Sequence, residues 1–487
     1  MPLRAKKEKI MQNFWDYSVW GFILLIGTLL LSLLLANLLK KSFKFLKNSL
    51  IPTSVLGGII LLIVSLIYNA IVGENVFNAK IFGGNGVATL EIITYHALAL
   101  GFICTTYRNV KVRFNHHRKR EIFDTGVTTV ATYLLQGILG LGITIIISLV
   151  ISDFFPAAGI LLPFGYGQGS GQALNYGNIY ENLPENPFVG GKSFGLSIAA
   201  LGFLSASIGG VIYLNVMKRK GRMATSTEES AEIYQPTQIQ TADEIPMNGS
   251  IDKLTVQLAI MAVTYVIAYL VMFGLGELLP VGLKSVIYGF NFLFGVLIAT
   301  LIKNILAKLH EKNVVKKQYV NGFLMSRISG FFFDIMIVAG IAAIEISVLA
   351  EYWWILLLLG VVGLVSTYFY EKYIAKKLFP AYADEQFLAM YGMLTGTAST
   401  GMILLREVDS DFKSPVSDNL VYQNLPAIVF GFPMMLLATL APQKPVLTLI
   451  ILIGFFIVMN VILFRRFIFK SKKGFSYNKA KEKNNNH

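Results

Sequence analysis

Apolar runs long enough to cross a lipid bilayer recur along almost the whole of this chain, and they constrain its fold more than any other feature. A helix needs about 20 consecutive apolar residues to span a hydrocarbon core roughly 30 Å thick. Runs of that order lie near residues 17–39, 51–73, 86–107, 125–152 and 192–216, and again near 253–279, 283–306, 322–350, 352–375, 425–441 and 445–468. With 54% of its 487 residues hydrophobic and only 14% charged, the chain exceeds the apolar content of a soluble globule. The pattern predicts an all-α integral membrane protein, because a backbone in lipid must satisfy its own hydrogen bonds.

The formal net charge of +14 does not mark a nucleic-acid-binding face. Lys and Arg fall in short clusters at the ends of apolar runs, which is the bias that orients membrane helices. Lys40, Lys41, Lys44 and Lys47 follow the first run, and Arg108, Lys111, Arg113, Arg118, Lys119 and Arg120 follow the third. Lys218, Arg219, Lys220 and Arg222, then Lys312, Lys316 and Lys317, then Lys376 and Lys377, and finally Arg465, Arg466, Lys470, Lys472 and Lys473 fit one threading. It places the C-terminus in the cytoplasm of a multi-pass plasma-membrane protein. Only Arg4, Lys6, Lys7 and Lys9 disagree. The first run, Tyr17 to Leu39, reads as a span and not as a cleavable signal. Cys104, the single cysteine, lies in an apolar run and reads as a small buried residue.

Residues 223–250, MATSTEESAEIYQPTQIQTADEIPMNGS, are polar enough to read as a cytoplasmic linker. They separate a first five-span half, residues 1–222, from a second, residues 251–443. Residues 444–487 form an extra span and a basic polar tail. On the threading above the first half begins outside and the second begins inside, so the halves are antiparallel, as in the inverted repeats of many secondary transporters.

Each half carries one signature of the form Y-G-x-x-[S/T]-G-x-A after its fourth span: YGQGSGQA from Tyr166 and YGMLTGTA from Tyr391. The flanking stretches, near 156–182 and 384–410, are too polar to face lipid and predict two re-entrant hairpins meeting at the midplane. Gly167, Gln168, Gly169, Ser170, Gly171, Gln172 and Asn175 are the first set of candidate site residues. Thr395, Gly396, Thr397, Ser399 and Thr400 are the second. Glycines let a ligand approach the backbone, broken helix N-termini favour a carboxylate, and loose carbonyls with hydroxyl oxygens suit Na⁺. Backbone carbonyls with Ser170, Thr397, Ser399 and Thr400 are the expected Na⁺ ligands. Alignment of the signatures puts Ser170 and Thr395 in one slot. Tight packing through small residues is the competing reading of either motif alone.

Other polar residues sit inside apolar runs. Asp334 is near the middle of the eighth, with Glu345 three helical turns on; ion coupling, gating between domains or a satisfied structural charge are the alternatives. Arg406 is placed either to hold a substrate carboxylate or to orient the chain beside Glu407. Glu91 lies near an outer end, Gln136 lies in the fourth run, and His96 reads as a hydrogen-bonded packing residue. His116 and His117 fall in a basic cytoplasmic loop. No H-E-x-x-H, clustered Cys or His, or nucleophile with a base at motif spacing indicates an enzyme.

Three segments, IPTSVLGGIILLI, GYGQGSGQALNYG and MYGMLTGTASTGMILLREVD, together resemble the bacterial sodium:glutamate symporter family over most of both halves. That resemblance implies two inverted five-helix repeats, each with a re-entrant hairpin, and Na⁺-driven glutamate uptake by an elevator-type motion. It also implies a homodimer held by scaffold helices, with no cofactor beyond the coupling ion. The chain departs from the family in having GYGQG where better-known members carry a GGHG-type run, and in its eleventh span and long linker. Symport of another carboxylate such as citrate or malate, cation/proton exchange through Asp334, and an ion channel are the alternative functions.

Overall fold

Hydrocarbon offers no hydrogen-bond partner, so the long apolar runs fold as helices. The computed structural model describes residues 13–107, 116–151, 153–220, 244–247, 250–278, 284–350, 352–409 and 414–468. It is 83% helical, with no strand among the described residues. In chain order the helices are α1 (Tyr17–Ser42), α2 (Lys44–Asn48), α3 (Thr53–Val72), α4 (Gly86–Tyr107), α5 (His116–Val150), α6 (Leu161–Gln168), α7 (Ser170–Glu181) and α8 (Gly191–Arg219). They continue as α9 (Lys253–Leu278), α10 (Lys284–Gly289), α11 (Asn291–Glu311), α12 (Gly322–Ala342) and α13 (Trp353–Leu378). The last are α14 (Ala383–Thr395), α15 (Ala398–Arg406), α16 (Val416–Tyr422), α17 (Asn424–Leu440) and α18 (Pro445–Ile468).

Ten helical segments are long and apolar enough to span a membrane, and eleven if α16 and α17, bent by 49°, are taken as one. Pro426 stands in that bend, where it removes an N–H and disfavours helix in the residue before it. The span helices expose Leu, Ile, Val and Phe on their outer faces, as a multi-pass membrane protein must. Five of them, α1, α8, α11, α13 and α18, end on Lys, Arg or His in the last turn, which complements the negative end of the helix dipole.

The packing falls into two sets. α1, α3, α4, α9, α11 and α12 pack on one another, with α4 against α12 at the centre. α5, α6, α8, α13, α14 and α18 pack on one another, and α7 joins the sets by lying on α6 and α8 as well as on α4 and α12. Ser329 Oγ donates to Gly101 O at 2.9 Å and lies 2.7 Å from Thr105 Oγ1, while Gly101 lies against Phe333, so α4 and α12 run antiparallel. Thr132 meets Glu371 and Gln136 meets Thr367, so α5 and α13 are antiparallel too.

α8 crosses both short-helix pairs on glycines. At Gly195, Gly202 and Gly209, spaced by seven residues, a Cβ would lie 2.5 Å from Ala173 O, 2.5 Å from Thr395 O and 2.1 Å from Tyr391 Oη respectively. Small residues at helical spacing let backbones come this close. α18 is fixed to α5 by Arg465, 2.8 Å from the Asp124 carboxylate, and Arg466, 3.3 Å from it.

Several sequence expectations change. The run at 283–306 is divided, with α10 separate from α11. The run at 322–350 stops being helical at Ala342, so Glu345 lies beyond α12 and does not share a helix face with Asp334. Instead its N–H donates to Ser193 Oγ at 3.1 Å. Most of the linker, the N-terminal basic cluster, Arg108, Lys111, Arg113, Arg222 and the tail from residue 469 lie outside the described residues. The linker's far end docks: Glu244 is buried and pairs at 2.8 Å with Lys253, itself buried and in need of a countercharge.

Gly140 of α5 sets the entry to α6, because a Cβ there would lie 2.1 Å from Gly159 O, whereas nothing lies within 4 Å of a Cβ on Gly142. Gly140→Ala is expected to destabilise by about 1–3 kcal/mol through overpacking, read as a lower melting temperature of the detergent-solubilised protein. Gly142→Ala should leave that temperature unchanged.

Candidate functional site

Neither α6 with α7 nor α14 with α15 contains an arm that can cross a bilayer. At a rise of 1.5 Å per residue the longest, α14, is only about 20 Å long. Each pair packs arm against arm; the first break, Gly169, is buried, while at the second Gly396 is buried, Thr397 is half-buried and Ala398 and Ser399 are exposed.

Gly169 is the first break. Its φ of 83° and ψ of −176° belong to a region essentially restricted to glycine. α7 starts at once with Ser170 and has no side-chain cap, so its first N–H groups are not met by a capping oxygen. The second break spans Gly396 and Thr397, where the Thr397 hydroxyl accepts from the Thr400 N–H at 3.4 Å and caps α15. A Cβ on Gly169 would lie 3.6 Å from Thr397 Cγ2 and 3.9 Å from both Gly396 O and Met336 Cε. The two breaks therefore meet, beside α12.

The candidate residues divide by what they touch. Ser170 is buried, donates a long 3.4 Å bond to Met336 O and packs against Gly340. Gly171 lies on Leu98 of α4, and Gly167 lies under the ring of Tyr133, whose hydroxyl donates to Gly167 O at 3.0 Å. Asn175 donates to Gly289 O at 3.0 Å, and Gln168 is half-buried at the end of α6. Gln172 is 1% exposed, yet neither its amide nitrogen nor its amide oxygen has a partner. A buried amide left unmatched is costly, and such groups mark places where a ligand or water completes the bonding.

In the second pair Thr397 Oγ1 and Thr400 Oγ1 lie 3.3 Å apart, Thr400 is buried and Ser399 is exposed. Thr395 is not Ser170's structural counterpart. It closes α14, its hydroxyl turned back to Tyr391 O at 2.6 Å, while Ser170 opens α7. The signatures align by letter, but the break falls at the fourth residue of the first, Gly169, and at the sixth and seventh of the second, Gly396 and Thr397. Arg406 is the last residue of α15, nine residues from Thr397 and exposed, so it is not brought to the breaks. Asp334 stands two residues before Met336 on α12, is exposed, and has Ser54 of α3 beside it. His96 Nδ1 is 2.7 Å from Tyr265 Oη, and Glu91 pairs with Lys192 at 2.8 Å, which also reaches Glu181 at 3.4 Å.

Compared with known protein families and with curated proteins, the chain gives no match.

Sequence reasoning missed one buried polar layer, formed by Thr132, Thr367 and Glu371 with Gln136. Gln136 Nε2 donates to Thr367 Oγ1 at 2.8 Å and to Leu394 O at 2.9 Å, tying α5 to α13 and to the end of α14. Because Gly169 holds a conformation closed to other residues, Gly169→Ala should cost about 1–3 kcal/mol. The expected result is a lowered melting temperature and earlier proteolysis between α6 and α7.

Proposed function

We propose that the chain is a secondary active transporter that takes up glutamate, or a closely related anionic amino acid, with Na⁺. The observation that carries this reading is the meeting of two helix breaks, at Gly169 and at Gly396–Thr397, inside a membrane-type helical fold. Irregular backbone at membrane depth is tolerated where it lines a ligand path or is buried in protein. α6–α7 and α14–α15 are then two re-entrant hairpins of antiparallel repeats. The antiparallel pairing of α4 with α12 and of α5 with α13 supports that symmetry, each pair being counterparts in the two halves.

The uncapped N-terminus of α7 offers N–H groups to a carboxylate, and the unpartnered Gln172 amide offers both a donor and an acceptor close by in sequence. Carbonyls at the ends of α6 and α14 with the hydroxyls of Ser170, Thr397, Ser399 and Thr400 suit Na⁺, a hard cation that prefers oxygen. The two packing sets suit an elevator-type motion, with α7 sliding on α4 and α12. α7 is packed on those helices while α15 packs on α14, α8 and α16, so the hairpins are in unequal surroundings, as one state of an alternating-access cycle requires. The remaining features of the proposal are a plasma-membrane location, a cytoplasmic C-terminus and a homodimer built on the α1, α3, α9 and α11 faces.

Na⁺-driven uptake into proteoliposomes tests this reading. Ser170→Ala, Thr397→Ala and Thr400→Ala should each reduce Na⁺-dependent glutamate uptake about tenfold, the equivalent of one lost hydrogen bond of roughly 1–1.5 kcal/mol. Thr395→Ala, whose hydroxyl serves its own helix, should transport normally. Wild-type uptake in all three would overturn the site. Counterflow with citrate or malate but not with glutamate would overturn the substrate.

A further inference from the structure

The chain carries a second internal repeat. Thr132 to Gln136 reads TYLLQ on α5, and Thr367 to Glu371 reads TYFYE on α13. The two segments lie side by side and antiparallel, so each threonine meets the polar residue that ends the other segment. All four side chains, Thr132, Gln136, Thr367 and Glu371, are essentially inaccessible, at 0–1% exposure. Each tyrosine reaches its own half's short-helix pair: Tyr133 donates to Gly167 O, and the Tyr368 ring packs edge-on against Tyr391.

One half of this layer has an amide where the other has a carboxyl. Gln136 Nε2 is the donor to Thr367 Oγ1. Glu371 holds the corresponding place against Thr132, with Oε1 2.5 Å from Thr132 Oγ1. Thr132 Oγ1 is also 2.9 Å from Thr128 O, an acceptor only. A hydroxyl has one proton. If it goes to Thr128 O, the proton between Thr132 and Glu371 must come from the carboxyl, which then does for Thr132 what the Gln136 amide does for Thr367.

Charge reasoning points the same way. Glu371 has no ion pair among the described residues, and an unpaired buried carboxylate is costly unless neutralised. Groups able to carry charge on the surrounding elements are engaged elsewhere. On α5, Asp124 is held by Arg465 and Arg466 of α18, while Glu121 is bonded by Arg118 and by Tyr382 of the turn before α14. Tyr213 of α8 donates to Asp384 of α14, and Tyr166 of α6 donates to Gly360 O. On α13 itself, Tyr370 donates to Asn460 of α18, and Lys372 lies over the rings of Tyr213 and Tyr368.

We propose that Glu371 is a proton-binding site, holding the proton between α5 and α13 and exchanging it as the two helices separate or are wetted during transport. The binding rests on the geometry alone; its use in the cycle rests on the transporter reading. The site would make the proton a further ligand of this protein besides the anionic substrate and Na⁺.

Infrared spectroscopy of the full-length protein in nanodiscs tests the binding without any transport. A protonated-carboxyl band is expected at neutral pH in the wild type. It should be lost in Glu371→Gln, retained in Glu345→Gln, and kept at a shifted frequency in Glu371→Asp. A wild type without the band, or a band unaffected by Glu371→Gln, overturns the site, and a band erased by Na⁺ at fixed pH overturns the proton in favour of Na⁺. Glu371→Gln should fold, since the mirrored position already carries the amide, and its melting temperature checks this. Proteoliposomes with an internal pH dye test the use: substrate-driven proton movement should fall more than tenfold in Glu371→Gln, and movement equal to wild type overturns coupling. If the wild type transports none of glutamate, citrate or malate, the transporter reading fails while the infrared result still decides the site.

Discussion

A peptide group left without a partner in hydrocarbon costs several kcal/mol, and that penalty governs every irregular feature of this fold. The break at Gly169 persists because protein closes it in, with the other break and Met336 of α12 beside it, while the half-buried second break is held by the Thr397 cap on α15 and by α8 against its Gly396 end. α8 thus acts as a sheath for backbone that could not face lipid. Its glycines at 195, 202 and 209 bring it within contact of α7, α14 and the Tyr391 hydroxyl in turn, and any side chain there would open the interior to solvent or lipid.

The same penalty shapes the polar side chains. Within the spans, threonines return their hydroxyls to the preceding turn, as Thr94 does to Leu90 O, Thr128 to Asp124 O and Thr264 to Ile260 O. A threonine satisfied in this way needs nothing from its neighbours. The residues that cannot satisfy themselves are the informative ones. Gln172 has both ends unmet, and Glu371 has only a hydroxyl already within reach of another acceptor. They sit in different layers, one at the start of α7 and the other between α5 and α13.

Much of this was legible in the sequence, for a physical reason. Span length is fixed by the bilayer, so the ends of α4 and α18 fall where the apolar runs end, and the short polar stretches between spans fold as paired short helices. Glycine at 169 was legible because few other residues can take that turn. What escaped depends on register and depth. Letter-by-letter alignment equates Ser170 with Thr395, although the break sits two to three residues later in the second copy, because Thr397 caps its helix while glycine alone turns the first. Glu345 looked intramembrane because apolar letters continue to Leu349, although α12 has already ended. The layer of Thr132, Gln136, Thr367 and Glu371 was present in the sequence as TYLLQ and TYFYE, yet only an antiparallel contact between distant helices turns two ordinary pentapeptides into one site.

The pairing of Asp124 with Arg465 and Arg466 also sets an order of events during synthesis. Asp124 belongs to the fourth span, and Arg466 follows it by 342 residues. At about 5–20 residues per second, its partner reaches the membrane roughly 20 to 70 seconds after it does. Throughout that interval Asp124 is without the two arginines that hold it in the folded chain. The contact of α18 with α5 therefore forms after every residue of the two helix breaks has been made, so a helix made later braces a site laid down before it.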